Sequence, residues 1–156
     1  MTISQCSQSH ITGNDITVKE ITVHADVSNL PRVTEFVNAL LENIASRMEV
    51  LKIGMVIDEL FTNIESYGYP DEKGDITVKV EIPSDKSKVI LTFIDDGIPY
   101  DPLLKEDPDI ENAKLKKQAG GFGIYMVKNT VDDMKYEYKN NQNILILTKK
   151  IGGSND

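Results

Sequence analysis

The chain has 156 residues, 40% of them hydrophobic, which is enough for one ordinary globular core. Its 25 acidic residues against 17 basic give a formal charge of −8. That argues against general nucleic-acid binding and against docking on an anionic membrane, both of which ask for a basic face. Cys6 is the one cysteine, which excludes an intramolecular disulfide and a cysteine metal cluster, and no apolar run nears the roughly 20 residues that span a bilayer.

Residues 1–14 are polar, lack the charged-then-apolar pattern of a secretory signal, and read as a flexible tail. With the single cysteine, this leads to the expectation of a cytoplasmic protein. One domain is expected over 15–151, with a second short tail at 152–156. The stretch "ITVKEITVHA" (16–25) alternates as a strand with one slip between Val18 and Ile21. Ser28 or Asn29 caps a helix with Pro31 in its first turn and an apolar stripe of Leu30, Val33, Phe36, Val37, Leu40, Leu41 and Ile44. A second helix runs from about Glu49 to Tyr67 and is stopped by Gly68 and Pro70. After a turn at 71–74, "DITVKVEIP" and "SKVILTFID" are strands. Residues 97–121 form a long, charged, proline-containing connection with a short helix at 109–117; a loop of that length in a compact domain is usually functional or disordered. "GGFGIYMVKNTVDD" is glycine followed by helix. "MKYEYKN" and "NILILTKK" are closing strands around an Asn-rich turn, Asn140–Asn143. The order β-α-α-β-β-loop-α-β-β predicts an α+β fold, a two-layer α/β sandwich with a mixed sheet covered by helices on one face.

Three stretches carry candidate chemistry. In "ELFTNIESYGYP" (59–70), Glu59, Asn63 and Tyr67 recur every four residues. On a helical wheel at ~100° per residue they form a stripe roughly 90° from the core stripe of Ile53, Val56, Ile57, Leu60, Phe61 and Ile64. The stripe reads either as a solvated flank or as a pocket edge, where a carboxylate serves as a base and an amide oxygen ligates a hard cation such as Mg²⁺. In "LTFIDDGIPYDP", Asp95 and Gly97 end a strand with no returning strand behind them, so a hairpin turn is disfavoured. A carboxylate there can accept from an exocyclic amine, and a glycine two residues on permits close approach of a flat ring. In "AGGFGIYMVKNTV", Gly120, Gly121, Phe122 and Gly123 lead into an apolar helix. The backbone N–H groups at such a start form an anion site, or the glycines are only a flexible lead-in. Neither the P-loop nor the dinucleotide fingerprint is present. Upstream, Lys114, Lys116 and Lys117 either face phosphates or form a solvated face.

Together, in this order and spacing, these pieces resemble the GHKL superfamily of ATP-binding domains, over roughly residues 50–135. Glu59-x-x-x-Asn63 resembles its N-box, Asp95-x-Gly97 its next box, and Gly121-x-Gly123 the glycine box that closes a mobile ATP lid. The run "ELFTNIESYGY" is most similar to the short bacterial anti-sigma-factor serine/threonine kinases, with Tyr67 where those have histidine and Ile98-Pro99 after the Asp-x-Gly step. The resemblance implies a Bergerat-type fold, ATP and Mg²⁺ as cofactors, Asn63 as metal ligand, Glu59 orienting or deprotonating the attacking hydroxyl, and Asp95 reading the adenine amino group. Gly97 would pass under the base, and Tyr67, Lys117, Gly120, Gly121, Phe122 and Gly123 would complete the nucleotide site. It implies a kinase acting on a serine of a small STAS-type anti-sigma antagonist while sequestering a sigma factor or analogous regulator, and it allows a homodimer. The alternative is an ATP-gated protein-binding module without kinase activity.

Overall fold

A computed structural model describes residues 10–11, 15–104, 106–108 and 122–152. The elements are β1 (His10–Ile11), β2 (Ile16–His24), α1 (Leu30–Leu41), α2 (Arg47–Asn63), a π-helical turn (Ile64–Gly68), β3 (Asp75–Pro83), β4 (Lys88–Asp95), α3 (Phe122–Thr130), β5 (Asp133–Lys139) and β6 (Gln142–Lys150). The expected helix at 109–117 lies outside the described residues. Of the expected tail at 1–14, His10 and Ile11 instead pair with Val18 and Thr17.

The six strands form one sheet in the order β1-β2-β3-β4-β6-β5. The α+β fold and the helical layer are as expected, but the sheet is not mixed: every neighbouring pair among the described residues is antiparallel. The reason is path parity. After β2 the chain goes out along α1 and back along α2, so it returns to the end of the sheet it left, and β3 must run antiparallel beside β2 (His24 opposite Asp75). Between β4 and β5 only α3 crosses the described structure; β5 therefore runs in the direction of β4, with β6 interposed and antiparallel to both.

The period of two places alternate residues on one face. Ile21, Val78, Phe93 and Leu145 form one row across the sheet, and Val80, Leu91 and Leu147 the next; all are buried. Against them pack Val33, Val37 and Leu41 of α1, then Ile53, Val56, Ile57, Leu60 and Phe61 of α2, and Ile124 and Val127 of α3. Each such side chain fully removed from water contributes roughly 1.5–3 kcal/mol before entropy is charged. The slip in β2 is not a bulge, because its register with β3 is continuous from Ile16 to His24. Ile16 and Val18 face the side of the sheet away from Ile21 and Val23.

α2 begins two residues earlier than its periodicity predicts. Ser46 caps it: the Ser46 hydroxyl accepts from Glu49 N at 3.1 Å and the Glu49 carboxylate accepts from Ser46 N at 2.8 Å, a reciprocal capping box. At its other end the helix widens. Tyr69 N donates to Ile64 O at 3.2 Å, a five-residue span that makes 64–68 a π turn. The third row of the sheet's inner face, Val23, Ile76, Asp95 and Asn143, ends under this wide turn, and there the apolar core gives way to polar groups.

Candidate functional site

Asp95 is the last residue of β4 and points inward, buried. Its Oδ1 accepts from Gly97 N and from Asn143 Nδ2, both at 2.9 Å. Among the described residues Oδ2 accepts no hydrogen bond, and Asp95 lines a cavity together with Asn63, Gly68, Tyr100, Pro102, Tyr136 and neighbouring apolar side chains. Burial pushes the Asp95 carboxyl above its ordinary range, and the hydrogen bonds from Asn143 and Gly97 N oppose that rise. The cavity is small, about 20 Å³, room for about one water. A purine therefore enters only by displacing part of the wall. The segment bearing Tyr100 and Pro102 is the part of that wall outside the sheet-and-helix core.

At Gly97 a Cβ would collide with the Gly68 carbonyl, so a close approach between two backbones already demands glycine there. Ile98 N then donates to Gly68 O at 2.9 Å, and Asp96 N donates to Tyr69 Oη at 2.8 Å. The step after β4 is thereby stitched to the end of α2. Burial pushes the Tyr69 phenol up to about 12, so it stays protonated and donates to Asp75 O at 2.9 Å.

The second corner lies one turn back along α2. Asn63 is buried, and its Nδ2 donates to Glu59 Oε2 at 2.8 Å and to Glu59 O at 2.9 Å. Among the described residues no donor reaches Asn63 Oδ1. Gly123, in the first turn of α3, lies directly on the Glu59 carboxylate; a Cβ at 123 would overlap Cδ and both carboxylate oxygens. The start of α3 thus meets Glu59 and Asn63 at one place, with Phe122 exposed beside them.

Tyr67 lies within the π turn, its ring exposed and stacked on Tyr100 at a centroid distance of 4.9 Å and an interplanar angle of 19°. Glu59, Asn63, Tyr67, Asp95, Gly97, Phe122 and Gly123 are all described, and the glycine box residue Gly123 reaches Glu59. Lys117, Gly120 and Gly121 lie outside the described residues.

Sequence reasoning missed Asn143, Tyr100, Tyr136 and Gly68. The sequence pattern places Asn143 in a turn at Asn140–Asn143. The turn proper is Asn140–Asn141, both with positive φ (54° and 62°), the two-residue hairpin geometry for which asparagine is favoured. Asn143 is already in β6, opposite Asp95. Counting a two-residue turn from the Asn-Asn pair would have placed it there.

The donor set fits a hard cation in one respect. Asn63 Oδ1 is a neutral amide oxygen on a buried residue, with no donor to it among the described residues, and it suits one coordination position of Mg²⁺, whose remaining positions waters and phosphates commonly fill. Among the described residues no group of three or more His, Cys, Asp or Glu side chains gathers to hold a metal by itself. Among them, too, no helix is long and apolar enough to cross a membrane.

Comparison with known proteins bears on all of this. The sequence profile described as histidine kinase-like ATPase domain matches residues 23–149. The anti-sigma F factor of Thermoanaerobacter sp. (strain X514) is 26% identical over 105 residues, covering 67% of this chain and 72% of that protein. The anti-sigma F factor of Thermoanaerobacter pseudethanolicus (strain ATCC 33223 / 39E) matches with the same identity and coverage.

Proposed function

Because this chain belongs to the histidine kinase-like ATPase domain family, we propose that it binds Mg-ATP and transfers the γ-phosphate to a serine of a small STAS-type partner protein, while sequestering a sigma factor or analogous regulator. The single observation that carries the reading is the junction of Glu59, Asn63 and Gly123, where a carboxylate, a metal-suited amide oxygen and the start of a nine-residue helix meet. The similarity to anti-sigma F factors supports the regulatory class.

In this reading Asp95 Oδ2 accepts from the exocyclic amine of adenine and disfavours guanine, which presents an acceptor at that position. Asn63 Oδ1 is the protein's ligand to Mg²⁺, an ion that neutralises charge on the transferring phosphoryl group when bound. Backbone N–H groups at the start of α3 face phosphate oxygens. Glu59 orients the incoming serine hydroxyl and takes its proton. Phosphoryl transfer depends chiefly on positioning and charge neutralisation, so few protein groups suffice.

The test pairs calorimetry of Mg-ATP binding with phosphate transfer to candidate STAS partners. Glu59→Gln is expected to bind Mg-ATP as wild type does while transfer falls ~10²–10⁴-fold. Asn63→Ala is expected to bind weakly and with less dependence on Mg²⁺. Tight ATP binding by wild type without transfer to any partner would replace the kinase with an ATP-gated binding module. Wild-type affinity in both variants would return the stripe to a solvated helix flank.

A further inference from the structure

We infer that Asn143 is the positioning residue that gives the base pocket its selectivity, by holding Asp95 so that a single acceptor oxygen meets the ligand. The inference deepens the proposed function and rests on its reading of Asp95.

The argument is one of hydrogen-bonding capacity. A carboxamide has two N–H donors and an oxygen with two lone pairs. The Asn143 Nδ2 donates to Asp95 Oδ1 at 2.9 Å and to Ile98 O at 3.0 Å, with Gly97 O at 3.3 Å sharing a proton. Its Oδ1 accepts from Tyr100 N at 3.1 Å and from the Tyr136 hydroxyl. Every donor and acceptor of this buried amide is used within the protein, so nothing remains for a base. It acts through Asp95. Asp95 Oδ1 in turn has both lone pairs engaged, by Asn143 and by Gly97 N. Turning the carboxylate away from this orientation breaks two buried hydrogen bonds. Oδ2 alone is therefore left to accept from a ligand that opens the cavity, in a fixed orientation that matches a ring carrying one N–H donor at its edge.

The same amide accepts from Tyr100 N, and the Tyr100 side chain, part of the cavity wall, stacks on Tyr67. One side chain on β6 thus sets both the reading carboxylate and the aromatic wall. A site built to hydrogen-bond a ligand N–H discriminates against the analogue lacking it, because its buried acceptor is then left unpaired.

The test measures, by calorimetry on the full chain, binding of ATP and of purine riboside triphosphate, which carries hydrogen in place of the 6-amino group. Wild type is expected to prefer ATP roughly ten- to hundredfold. Asn143→Ala is expected to lose most of that preference by weaker ATP binding, with affinity for the analogue changed less than about threefold. Asn143→Ser, whose hydroxyl is too short to span to Asp95, is expected to behave alike and serves if the alanine variant does not fold. An unchanged preference in the folded variants overturns the role of Asn143, and an equal loss for both nucleotides reduces it to a structural one. A wild type that binds both nucleotides alike overturns the reading of Asp95 itself, and this inference with it.

Discussion

The two corners of the site, both reached from the last turns of α2, are built by different means. Around Asp95 backbone and side-chain groups interlock: Gly68 against Gly97, Ile98 N on Gly68 O, Asp96 N on Tyr69 Oη, and the Asn143 carboxamide spanning Asp95, Gly97, Ile98 and Tyr100. The Glu59 carboxylate, among the described residues, accepts one hydrogen bond, from Asn63, and faces a glycine that leaves it space. Under the proposed function the first corner reads the base and gains from rigidity, because discrimination depends on where a single oxygen sits. The second would then need room for a phosphate, a metal and a hydroxyl at once, which its sparse furnishing among the described residues leaves.

The sharpest way to break this comparison is a pair of matched substitutions. Gly123→Ala forces a methyl group into the Glu59 carboxylate, and a displacement near 1 Å at a reacting group costs roughly 10²-fold. Transfer is expected to fall by that factor with little change in melting temperature. Gly97→Ala makes the same chemical change where the obstacle is the Gly68 backbone, so it is expected to destabilise the fold by roughly 1–3 kcal/mol, about 3 °C per kcal/mol for a chain of this size. Thermal melts and transfer assays on both variants check the contrast; equal effects on both readouts would erase it.

The next effect concerns Asp95 and has two opposed signs. Asp95→Asn keeps an acceptor for Gly97 N and Asn143 but converts the free oxygen to a donor, so ATP affinity is expected to drop roughly ten- to hundredfold. Burial holds the native carboxyl above its ordinary 3.8. An acid whose pKa is raised by folding favours the fold in acid, and that contribution is lost as pH rises from below 3.8 through the folded value. The substitution removes this dependence, so the variant is expected to melt higher than wild type at neutral pH, with the gap closing as pH falls toward 3.8. A variant less stable than wild type at neutral pH would show that the native network outweighs the burial of charge.

The smallest effect belongs to the aromatic wall. Tyr100→Ala removes the stack on Tyr67, a contact worth about 0.5–1.5 kcal/mol beyond its buried area. A slightly lower melting temperature is expected, together with faster ATP association. Thermal melts and stopped-flow measurement of ATP association check both.

The helices and strands were legible because their apolar residues recur at 3.6 and 2, and the two corners because Glu59-x-x-x-Asn63, Asp95-x-Gly97 and Gly123 are local patterns. The antiparallel order was not legible from grouped elements alone, since strand direction follows from how many helices cross between strands. The role of Asn143 was not legible because it depends on a partner 48 residues away, and that pairing appears only once the register of β4 and β6 is known. The reason for Gly97 was similarly nonlocal: its obstacle belongs to another element, Gly68.

The wide turn at Ile64–Gly68 has a consequence for how this sequence tolerates change in length. A π turn holds one residue more than an α-helical turn over the same stretch. α2 therefore carries a residue of slack at the point where it meets β4. Removing any one residue from 64–67 lets the helix rewind into ordinary geometry at little cost to itself. Because the wide turn already absorbs its extra residue, such a deletion leaves the Gly68 carbonyl close to Ile98 N, without the ~100° swing that losing a residue from an ordinary α-helix would bring. The seam between helix and sheet is therefore expected to survive a one-residue deletion there, and to be lost on a deletion one turn earlier in α2. The spare residue is slack in length that the seam can give up.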